Sequence, residues 1–434
     1  MGAVENKADN VLTVERSLPV AVLPEGETPG GSLFLCSMDC WALAVVPTLY
    51  TFHRGDANVA GVIKQALSKV LVHYYPLTGR LAKNSLGKLM VDCDKKLGVP
   101  FVEASANCDI ENMGDIKMLD SEILEKLVYR DPTEKLLEVA PLLTAQVTKF
   151  KCGGFTLGVV VNHCMTDGIS AIDFMNSWAE TARGKPLSFV PCHDRTFLKA
   201  RVPPQIGDFY NDFARVGDIS NMTALCEKEQ IVFKSFHIDG EKLATLRKMT
   251  TIDGRVMNNY SSFVALSALV WRARTMALKM KPHQLTQLLI YVDFRPKMKM
   301  LKMPDGYFGN AVVLPCCVCT AGELIDEPIS STAERIKKAI ERVNEDFVRS
   351  AIDYMDKYPF EPYRMSSLLI SSWMGLDFGD FDFGWGGPRQ LGTGNLLPTD
   401  CVFMREESEN KKDVAVVLGL PLSTVNTFRE SVQI

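Results

Sequence analysis

The hydrophobic pattern along the chain switches several times between helical and strand spacing. Residues 141–150 alternate between apolar and polar side chains, Gly153 and Gly154 follow as a turn, and residues 155–163 form a mostly apolar run. Alternation is typical of a strand with one covered face, and a short apolar run is typical of a strand covered on both faces. The pattern therefore predicts a β-hairpin that ends at His163.

A helix is predicted directly after this hairpin. Beyond Gly168, residues 170–183 place their apolar side chains on one helical face, and Gly184 follows where glycine often ends a helix. Residues 163–168 are therefore expected to form a corner between the end of a strand and the start of a helix.

The rest of the chain continues in the same mixed pattern. Further helices are predicted over residues 59–75, 240–249, 261–278 and 327–355. Further strands are predicted over residues 88–94, 234–239, 287–295, 311–319, 401–405 and 414–420. The fold class is therefore α/β, and no internal repeat is visible.

A proline-rich stretch without periodicity divides the pattern into two halves. It carries Pro186, Pro191, Pro203 and Pro204, which suits a long crossover between domains. A chain of 434 residues is also longer than a single hydrophobic core usually supports. We predict an N-terminal domain at 1–185, a crossover linker at 186–212 and a C-terminal domain at 213–434.

Charge and composition exclude several classes of protein. The 48 basic and 52 acidic residues give a formal charge of −4, and no cluster of Lys and Arg with aromatic residues offers a nucleic-acid surface. No apolar run approaches the ~20 residues of a membrane span, and the N-terminus lacks the apolar core of a signal peptide. We expect no nucleic-acid partner, no transmembrane segment and a cytoplasmic location.

The twelve cysteines are expected to be reduced thiols in such a location. Their densest group, Cys316, Cys317 and Cys319, follows an apolar stretch and is predicted to lie in a buried strand. A zinc site needs thiolates that converge with a further ligand, and no finger-like spacing occurs in the chain. A structural role is therefore preferred over metal binding for this group, and no metal site is predicted.

The sharpest chemical feature is the corner N-H-C-M-T-D-G at 162–168, in a chain with only six histidines. An imidazole can take a proton from an alcohol or amine near neutral pH while that group attacks a carbonyl. His163 is therefore a candidate general base for acyl transfer, and the alternative is a structural histidine at a strand end. Asp167 can either approach the imidazole or hold the loop, and the sequence leaves both open.

A second feature, D-F-G-W-G at 382–386, lies in a stretch rich in glycine and aromatic residues, where the backbone needs unusual dihedral angles. Alone it indicates a structural corner. Together with the corner at 162–168, it resembles the paired motifs of the plant BAHD acyltransferases. Further blocks that resemble this family are YYPLTGRL (74–81), SWAETARG (177–184), SSFVALSALVWRAR (261–274), VDFR (292–295) and GYFGN (306–310).

The resemblance covers nearly the whole chain and implies a fold. Members are similar to chloramphenicol acetyltransferase: two α/β domains have mixed β-sheets with flanking helices, and an active-site channel runs through the domain interface. The resemblance also implies that acyl-coenzyme A is a donor substrate and that no cofactor is bound permanently. We expect a monomer whose partners are this donor and a small acceptor with a hydroxyl or amine.

The roles of the central residues follow from the same resemblance. It implies that His163 is the catalytic base and that Asp167 is mainly architectural, paired with Arg295 of VDFR. Trp373 and the hydroxyl of Ser371 are implied to hold the tetrahedral oxyanion. The family often has threonine at the position of Ser371, and serine keeps the hydroxyl but restrains it less because it lacks the β-branch.

The resemblance gives other motif residues supporting roles. Asp382, Gly384 and Gly386 of the D-F-G-W-G loop are implied to be structural. Ser261 and Ser262 are expected to contact coenzyme A, because they offer hydroxyls at the start of a helix whose first backbone amides face outward.

Rival functions lack their motifs. The chain has no G-x-S-x-G elbow of a serine hydrolase, no H-E-x-x-H zinc motif and no kinase motif other than D-F-G. A condensation enzyme fed by a carrier protein generally has a doubled histidine, whereas Asn162 precedes His163 here. A non-catalytic relative that only binds a ligand or a protein remains the alternative from another class.

Donor and acceptor are inferred from resemblance. The stretch DRTFLKARVPP (194–204) most resembles enzymes that transfer hydroxycinnamoyl groups to long-chain alcohols or ω-hydroxy fatty acids. Hydroxycinnamoyl transfer to shikimate, quinate or an amine is the alternative. Because no elbow serine occurs, we expect direct transfer in one ternary complex, without a covalent acyl-enzyme.

Overall fold

The computed structural model of the chain describes residues 12–114, 116, 121–207, 216–250, 260–298, 303–358, 365–376, 381–394, 396–405 and 413–433. These residues divide between two compact units. The first unit comprises Met1–Phe197, Pro304–Asn310 and Leu376–Asn395. The second unit comprises Leu198–Met303, Ala311–Gly375 and Leu396–Ile434.

The two units differ from the contiguous halves expected from the sequence. The first break, between Phe197 and Leu198, falls inside the stretch assigned to the crossover at 186–212. However, the D-F-G-W-G motif, which was assigned to the C-terminal domain at 213–434, lies in the first unit. The physical reason is that Phe381 and Phe383 are buried in the hydrophobic core of that unit, and periodicity carries no signal for such an excursion.

The described residues form α-helices α1 (Ser37–Trp41), α2 (Val59–Val70), α3 (Ser121–Leu127), α4 (Gly168–Ala182), α5 (Met222–Lys228), α6 (Gly240–Met249), α7 (Ser262–Ala277), α8 (Ala321–Asp326), α9 (Ile329–Glu341), α10 (Glu345–Lys357) and α11 (Val425–Ser431).

They also form strands β1 (Val14–Arg16), β2 (Val20–Val22), β3 (Ser32–Phe34), β4 (Val45–Phe52), β5 (Arg80–Lys83), β6 (Leu89–Asp92), β7 (Val99–Ala106), β8 (Leu143–Lys149), β9 (Phe155–Asn162), β10 (Ile231–Ile238), β11 (Leu285–Ile290), β12 (Val292–Asp293), β13 (Val312–Val313), β14 (Cys316–Thr320), β15 (Ser367–Ser372), β16 (Gln390–Thr393), β17 (Asp400–Arg405) and β18 (Val414–Pro421).

The main sheet of the first unit contains the predicted hairpin. Within the described ranges it has seven strands in the order β1–β7–β8–β9–β4–β16, with β2 also paired to β7. Strands β8 and β9 pair antiparallel, which confirms the hairpin. Helices α2 and α4 pack against each other, and the indole of Trp178 in α4 donates a hydrogen bond of 2.9 Å to the carbonyl of Ile63 in α2. A smaller sheet, β3–β6–β5, completes this unit.

The second unit is built around one strongly apolar helix. Its described strands form the sheet β10–β18–β17–β15–β11–β14 and the short pair β12–β13. Helix α7, which was predicted over 261–278, is buried over most of its circumference and contacts α6, α8, α9 and α11. The fully buried Trp271 of α7 donates from its indole to the hydroxyl of Thr286 at 3.0 Å.

Three predicted elements of the second unit are each divided in the structure. The strand predicted over 311–319 is β13 and β14, which lie in different sheets. The helix predicted over 327–355 is α9 and α10, because the side chain of Asn344 accepts from the backbone N–H of Phe347 and caps a new helix. The strand predicted over 287–295 is β11 and β12, because the chain leaves the main sheet at Tyr291 and pairs with β13 instead.

None of the described helices is long and apolar enough to cross a membrane. The described residues also contain no group of three or more His, Cys, Asp or Glu side chains placed to hold a metal ion. The cysteine-rich segment is β14, in which Cys316, Cys317 and Cys319 are all buried.

Candidate active site

His163 lies immediately after the last residue of β9. Its backbone N–H donates to the carbonyl of Ala44 at 2.7 Å, at the entry to the neighbouring strand β4. The chain then turns sharply: Met165 N–H donates to the carbonyl of Asn162 at 2.9 Å, and Cys164 N–H donates to the Asn162 side chain at 3.1 Å. The sequence therefore places this imidazole at a defined strand-to-helix corner, as the pattern predicts.

Asp167 ends the corner as the N-cap of α4. Its backbone is extended, and its carboxylate accepts the N–H of Ser170 at 3.0 Å. A side chain that accepts a first-turn N–H satisfies one of the donors that every helix start leaves unpaired. The carboxylate is 3% exposed, so this bond forms in a poorly solvated position. Asp167 thus determines where α4 begins.

The imidazole of His163 is partly buried. Its Nδ1 is buried and has no hydrogen-bond partner among the residues that the structure describes. The Asp167 carboxylate therefore does not bond this nitrogen, and the corner does not contain an Asp–His dyad of the kind found in serine hydrolases. Asp167 therefore caps α4 and does not bond Nδ1 of His163, and its architectural role stays a prediction.

The carbonyl of His163 is held from another part of the first unit. The side-chain amide of Asn310 donates to it at 2.8 Å. Asn310 also bonds Asp39, which forms a buried ion pair with Arg195, and Arg195 donates to the carbonyl of Met165 at 3.0 Å. The backbone of the corner is thus also held by residues outside β9 and α4.

The two thiols near the corner are not activated as nucleophiles. Cys164, next to His163, and Cys36 are both fully buried. Burial, together with the nearby Asp39 carboxylate, raises the pKa of each thiol well above its ordinary value. Since only the thiolate is a good nucleophile, neither cysteine is activated for attack on an acyl group.

A second histidine of the first unit is structural. The Nε2 of His193 lies 2.8 Å from the carbonyl of His73, and because a carbonyl can only accept, this nitrogen carries the hydrogen. The ring packs edge-on against Tyr74, Tyr75 and Phe308. Burial lowers the pKa of His193 to about 4, so its imidazole is neutral and engaged in packing.

The predicted oxyanion residues lie in the second unit. Ser371 is on β15, opposite Val402 of β17, and the backbone N–H of Trp373 donates to the carbonyl of Phe403 at 2.7 Å. The indole N–H of Trp373 donates to the Ser371 hydroxyl oxygen at 3.1 Å. The Ser371 oxygen therefore acts as an acceptor for the indole, which leaves the hydroxyl proton to donate elsewhere.

Arg295 lies in a short 3₁₀ turn after β12. Its guanidinium and its backbone N–H donate to the Asp293 carboxylate at 3.0 Å and 3.1 Å. Asp167 belongs to the first unit and Arg295 to the second. Their pairing stays a prediction.

The start of α7 borders a cavity of about 430 Å³ in the second unit. Ser261 is the N-cap of α7, and its hydroxyl accepts the N–H of Val264 at 3.3 Å, whereas Ser262 is the first helical residue. Tyr291 and Lys337 also line this cavity. The Ser261 hydroxyl is therefore already used to cap the helix, although its proton remains available as a donor.

The D-F-G-W-G loop is organised by one carboxylate. Asp382 Oδ1 accepts the N–H of Gly384 at 2.7 Å and that of Gly386 at 2.8 Å. Both glycines have positive φ, +116° and +90°, which residues with a side chain rarely adopt. Phe383 points into the core and packs edge-on against Trp178, with ring centroids 5.6 Å apart. The loop is thus an architectural feature of the first unit.

Three residues at the corner have no role in the sequence analysis. Arg195 lies in the stretch 194–204 and Asn310 in the stretch 306–310, which resemble the family, but the resemblance implies no role for either residue. Asp39 lies in none of the motifs. The sequence gives only a weak signal for Asp39, namely its position between the apolar residues Met38 and Cys40. Such a position can indicate a buried charge.

Comparison with known proteins finds the same family along the whole chain. The model of the Transferase family matches residues 12–434. The omega-hydroxypalmitate O-feruloyl transferase of Arabidopsis thaliana is 45% identical over 430 residues, which are 98% of this chain and 94% of the relative. The fatty alcohol:caffeoyl-CoA acyltransferase of the same plant is 43% identical and covers 96% of this chain and 97% of its own.

Solved structures show the same fold. Vinorine synthase is 24% identical and superposes with a TM-score of 0.74 over 96% of each chain. The complex of TRI101 from F. graminearum with coenzyme A and T-2 mycotoxin is 16% identical, with a TM-score of 0.76 over 91% of this chain and 96% of that one. With the family model and the relatives above 40% identity, the chain belongs to the Transferase family, that of the plant BAHD acyl-CoA-dependent acyltransferases.

Proposed function

We propose that the protein transfers a hydroxycinnamoyl group from a coenzyme A thioester to a long-chain alcohol or ω-hydroxy fatty acid, with His163 as the general base. The observation that carries the base assignment is the corner itself. It presents a partly buried imidazole whose backbone is fixed on both sides and whose Nδ1 has no bond to a described residue. The described contacts therefore hold this residue through its backbone and leave Nδ1 of the imidazole unbonded, which supports the assignment of His163 as the proton acceptor.

The proposed reaction proceeds in one complex. His163 takes the proton of the acceptor hydroxyl while the oxygen attacks the thioester carbon, which gives a tetrahedral intermediate with a negative oxygen. When the intermediate collapses, the carbon–sulfur bond breaks and the imidazolium gives its proton to the leaving thiolate. The products are the ester and free coenzyme A, and the base is regenerated.

The oxyanion is proposed to be stabilised by Ser371, with Trp373 as its positioning residue. This division is supported by the bond in which the Trp373 indole donates to the Ser371 oxygen at 3.1 Å. The bond restrains the serine hydroxyl, which lacks the β-branch that restrains threonine. A fixed donor aimed at the developing charge is the strongest single contribution in many acyl-transfer sites.

Direct transfer, without an acyl-enzyme, is supported by the surroundings of His163. The sequence contains no elbow serine, and the adjacent Cys164 is buried, with its thiol pKa raised by burial. Neither an elbow serine nor Cys164 is therefore available as a nucleophile that the imidazole could activate. The group that His163 is proposed to deprotonate is the hydroxyl of the acceptor.

The substrates are proposed from the relatives. The two relatives at 45% and 43% identity carry the names of a feruloyl and a caffeoyl transferase acting on fatty hydroxyl compounds. The shikimate O-hydroxycinnamoyltransferase of Nicotiana tabacum is 31% identical, so transfer to a polar acid is the second candidate. Ser261 and Ser262 are proposed to contact the coenzyme A, supported by the cavity beside Ser261.

Five motif residues are proposed to be structural, that is, to maintain the backbone around the site: Asp167, Arg295, Asp382, Gly384 and Gly386.

A cytoplasmic location is also proposed. It is supported by the cysteines, since all twelve are free thiols, as expected in a reducing compartment.

Asp382→Ala is expected to lower the melting temperature as well as activity. The change removes the acceptor of two backbone N–H groups, and hydrogen bonds to charged groups contribute roughly 1.5–3 kcal/mol each. Asp382→Asn is the matched control, because its amide oxygen can still accept both N–H groups. A variant that melts like the wild type and yet has no activity would instead place Asp382 in the chemistry.

His163→Ala is expected to lower kcat/KM by at least ~10²-fold, because a positioned general base typically contributes that much. Its thermal unfolding should stay close to that of the wild type, since the side chain makes no hydrogen bond to a described residue through Nδ1. His283→Ala, which changes an exposed histidine of the second unit, is the control. Turnover of His163→Ala within a few-fold of the wild type would contradict the assignment.

The acceptor preference is expected to rise with chain length. Each buried methylene contributes about 0.8 kcal/mol, which corresponds to at most about fourfold in kcat/KM per methylene until the site is full. Feruloyl, caffeoyl and acetyl thioesters should be measured against octanol, dodecanol, hexadecanol, an ω-hydroxy acid, shikimate, quinate and an aromatic amine. A clear preference for shikimate, quinate or the amine would overturn the acceptor assignment and leave the base assignment intact.

A further inference from the structure

A fully buried ionic network lies behind the corner that carries His163. The Asp39 carboxylate and the Arg195 guanidinium form an ion pair, with Nε and Oδ2 3.1 Å apart, and neither side chain is exposed to solvent. Asp39 comes from α1, Arg195 from the chain shortly before the first break between units, and Asn310 from the end of the excursion Pro304–Asn310. Three distant parts of the sequence therefore meet at one point of the first unit.

The network is well satisfied around both charges. Asp39 Oδ2 also accepts the N–H of Cys36 at 3.0 Å, and Oδ1 accepts the Asn310 amide at 2.8 Å. Arg195 donates its remaining nitrogens to the carbonyls of His193 at 3.1 Å and Met165 at 3.0 Å. Burial is the largest single influence on the pKa of Arg195 and lowers it, but the Asp39 carboxylate and the other groups around the guanidinium together raise the pKa above its ordinary value. The guanidinium is therefore charged in the interior.

Two of the network's bonds end on the backbone of the corner. Arg195 holds the carbonyl of Met165, and the Asn310 amide holds the carbonyl of His163 at 2.8 Å. The N–H of His163 is bonded to Ala44, so both polar groups of this peptide backbone are restrained. With the backbone held in this way, the imidazole of His163 can change position only by rotation about its own side-chain bonds.

The orientation of the Asn310 amide follows from its surroundings. Its nitrogen faces the Asp39 carboxylate and the His163 carbonyl, and both of these groups can only accept. If the amide were turned over, its oxygen would face two acceptors. Asn310 is therefore a double donor that connects the buried charge to the residue that carries the imidazole.

The neighbouring Gly309 leaves room for Arg195 and Tyr307. A Cβ at Gly309 would lie 2.5 Å from the Tyr307 hydroxyl and 3.1 Å from Arg195 Nε. Gly309 also exchanges bonds with Ser170 of α4: its N–H donates to the Ser170 hydroxyl at 3.2 Å and its carbonyl accepts from that hydroxyl at 3.1 Å. The segment that carries Asn310 is thus packed directly against the start of α4.

We propose that Asp39, Arg195 and Asn310 are positioning residues for the acyl-transfer reaction, and that Asn310 transmits the constraint from the buried ion pair to His163. The inference rests on the proposed role of His163 as the base. A general base must come within about 2.6–3.2 Å of the proton that it removes. A displacement of about 1 Å can cost ~10²-fold in rate, so a fixed backbone at residue 163 matters for turnover.

Stability alone does not account for a pair of this kind. Desolvation of two buried ions costs several kcal/mol each, and replacement of such pairs by apolar residues is often neutral or stabilising. A buried pair that is linked to a donor on the His163 carbonyl is better explained by the geometry that it imposes. For the same reason Asp39→Ala and Arg195→Ala are unsuitable tests, because each would leave an unpaired buried charge and can prevent folding.

Asn310→Ala is the informative variant, because the Asp39–Arg195 pair remains intact while the bond to the His163 carbonyl is lost. We expect kcat to fall about 10-fold to 10²-fold, with the KM for the thioester within about twofold of the wild type and with most of the protein folded. Gln146→Ala is the matched control: this buried amide also donates to a backbone carbonyl, that of Lys126 at 2.9 Å, but lies away from the corner on β8. The Gln146→Ala variant should lose a similar free energy of unfolding and keep the kcat of the wild type.

A double-variant cycle separates positioning from general damage. If Asn310 acts through the imidazole, Asn310→Ala should have little further effect on the residual rate of His163→Ala, since there is then no base to misplace. Equal losses in both backgrounds, or a wild-type kcat for Asn310→Ala, would overturn the inference. If His163→Ala itself turned over normally, the proposed function would fail instead, so the two failures are distinguishable.

Discussion

The buried ion pair between Asp39 and Arg195 is the interaction on which the candidate site depends. It joins α1 to the chain after α4, and through Asn310 it joins both to the excursion that returns to the first unit. A buried charge without a hydrogen-bond partner would destabilise the fold by several kcal/mol. The segments that form hydrogen bonds with Asp39 and Arg195 are therefore held at defined distances from the pair. The corner at His163 is where two of those restraints end.

The other side of the corner is fixed by an ordinary helix cap. Asp167 bonds the first turn of α4 and does not bond the Nδ1 of His163. For the proposed base, position is therefore supplied by the backbone. Proton transfer is proposed to be left to an imidazole without a carboxylate partner at Nδ1.

Local elements of the fold could be predicted because they depend on local periodicity. The hairpin β8–β9 and the helices α4 and α7 follow directly from the spacing of apolar residues. The breaks at Tyr291 and Asn344 were missed, because apolar spacing continues through them and only pairing with β13 or a helix cap ends the element. The break at Tyr291 depends on a strand that is distant in sequence, whereas the cap at Asn344 is a local contact that apolar spacing does not register.

The site could be predicted only in part. His163 and Asp167 stand out through residue type and position at a strand end, whereas roles for Ser371 and Trp373 came from family resemblance. Asp39, Arg195 and Asn310 were not identified, since a buried polar network has no periodic signature and its members are far apart in the chain. The grouping of D-F-G-W-G with the first unit was not anticipated for the same reason, because the packing of Phe383 against Trp178 is a tertiary contact.

His163 is proposed to activate the acceptor directly, so that the protein never carries the acyl group. This can be tested by mass spectrometry of intact enzyme that is quenched under denaturing conditions after incubation with feruloyl thioester alone. We expect unmodified protein in a sample that forms ester as soon as a long-chain alcohol is added. A stoichiometric feruloyl adduct that forms with donor alone and disappears when the alcohol is added would contradict it.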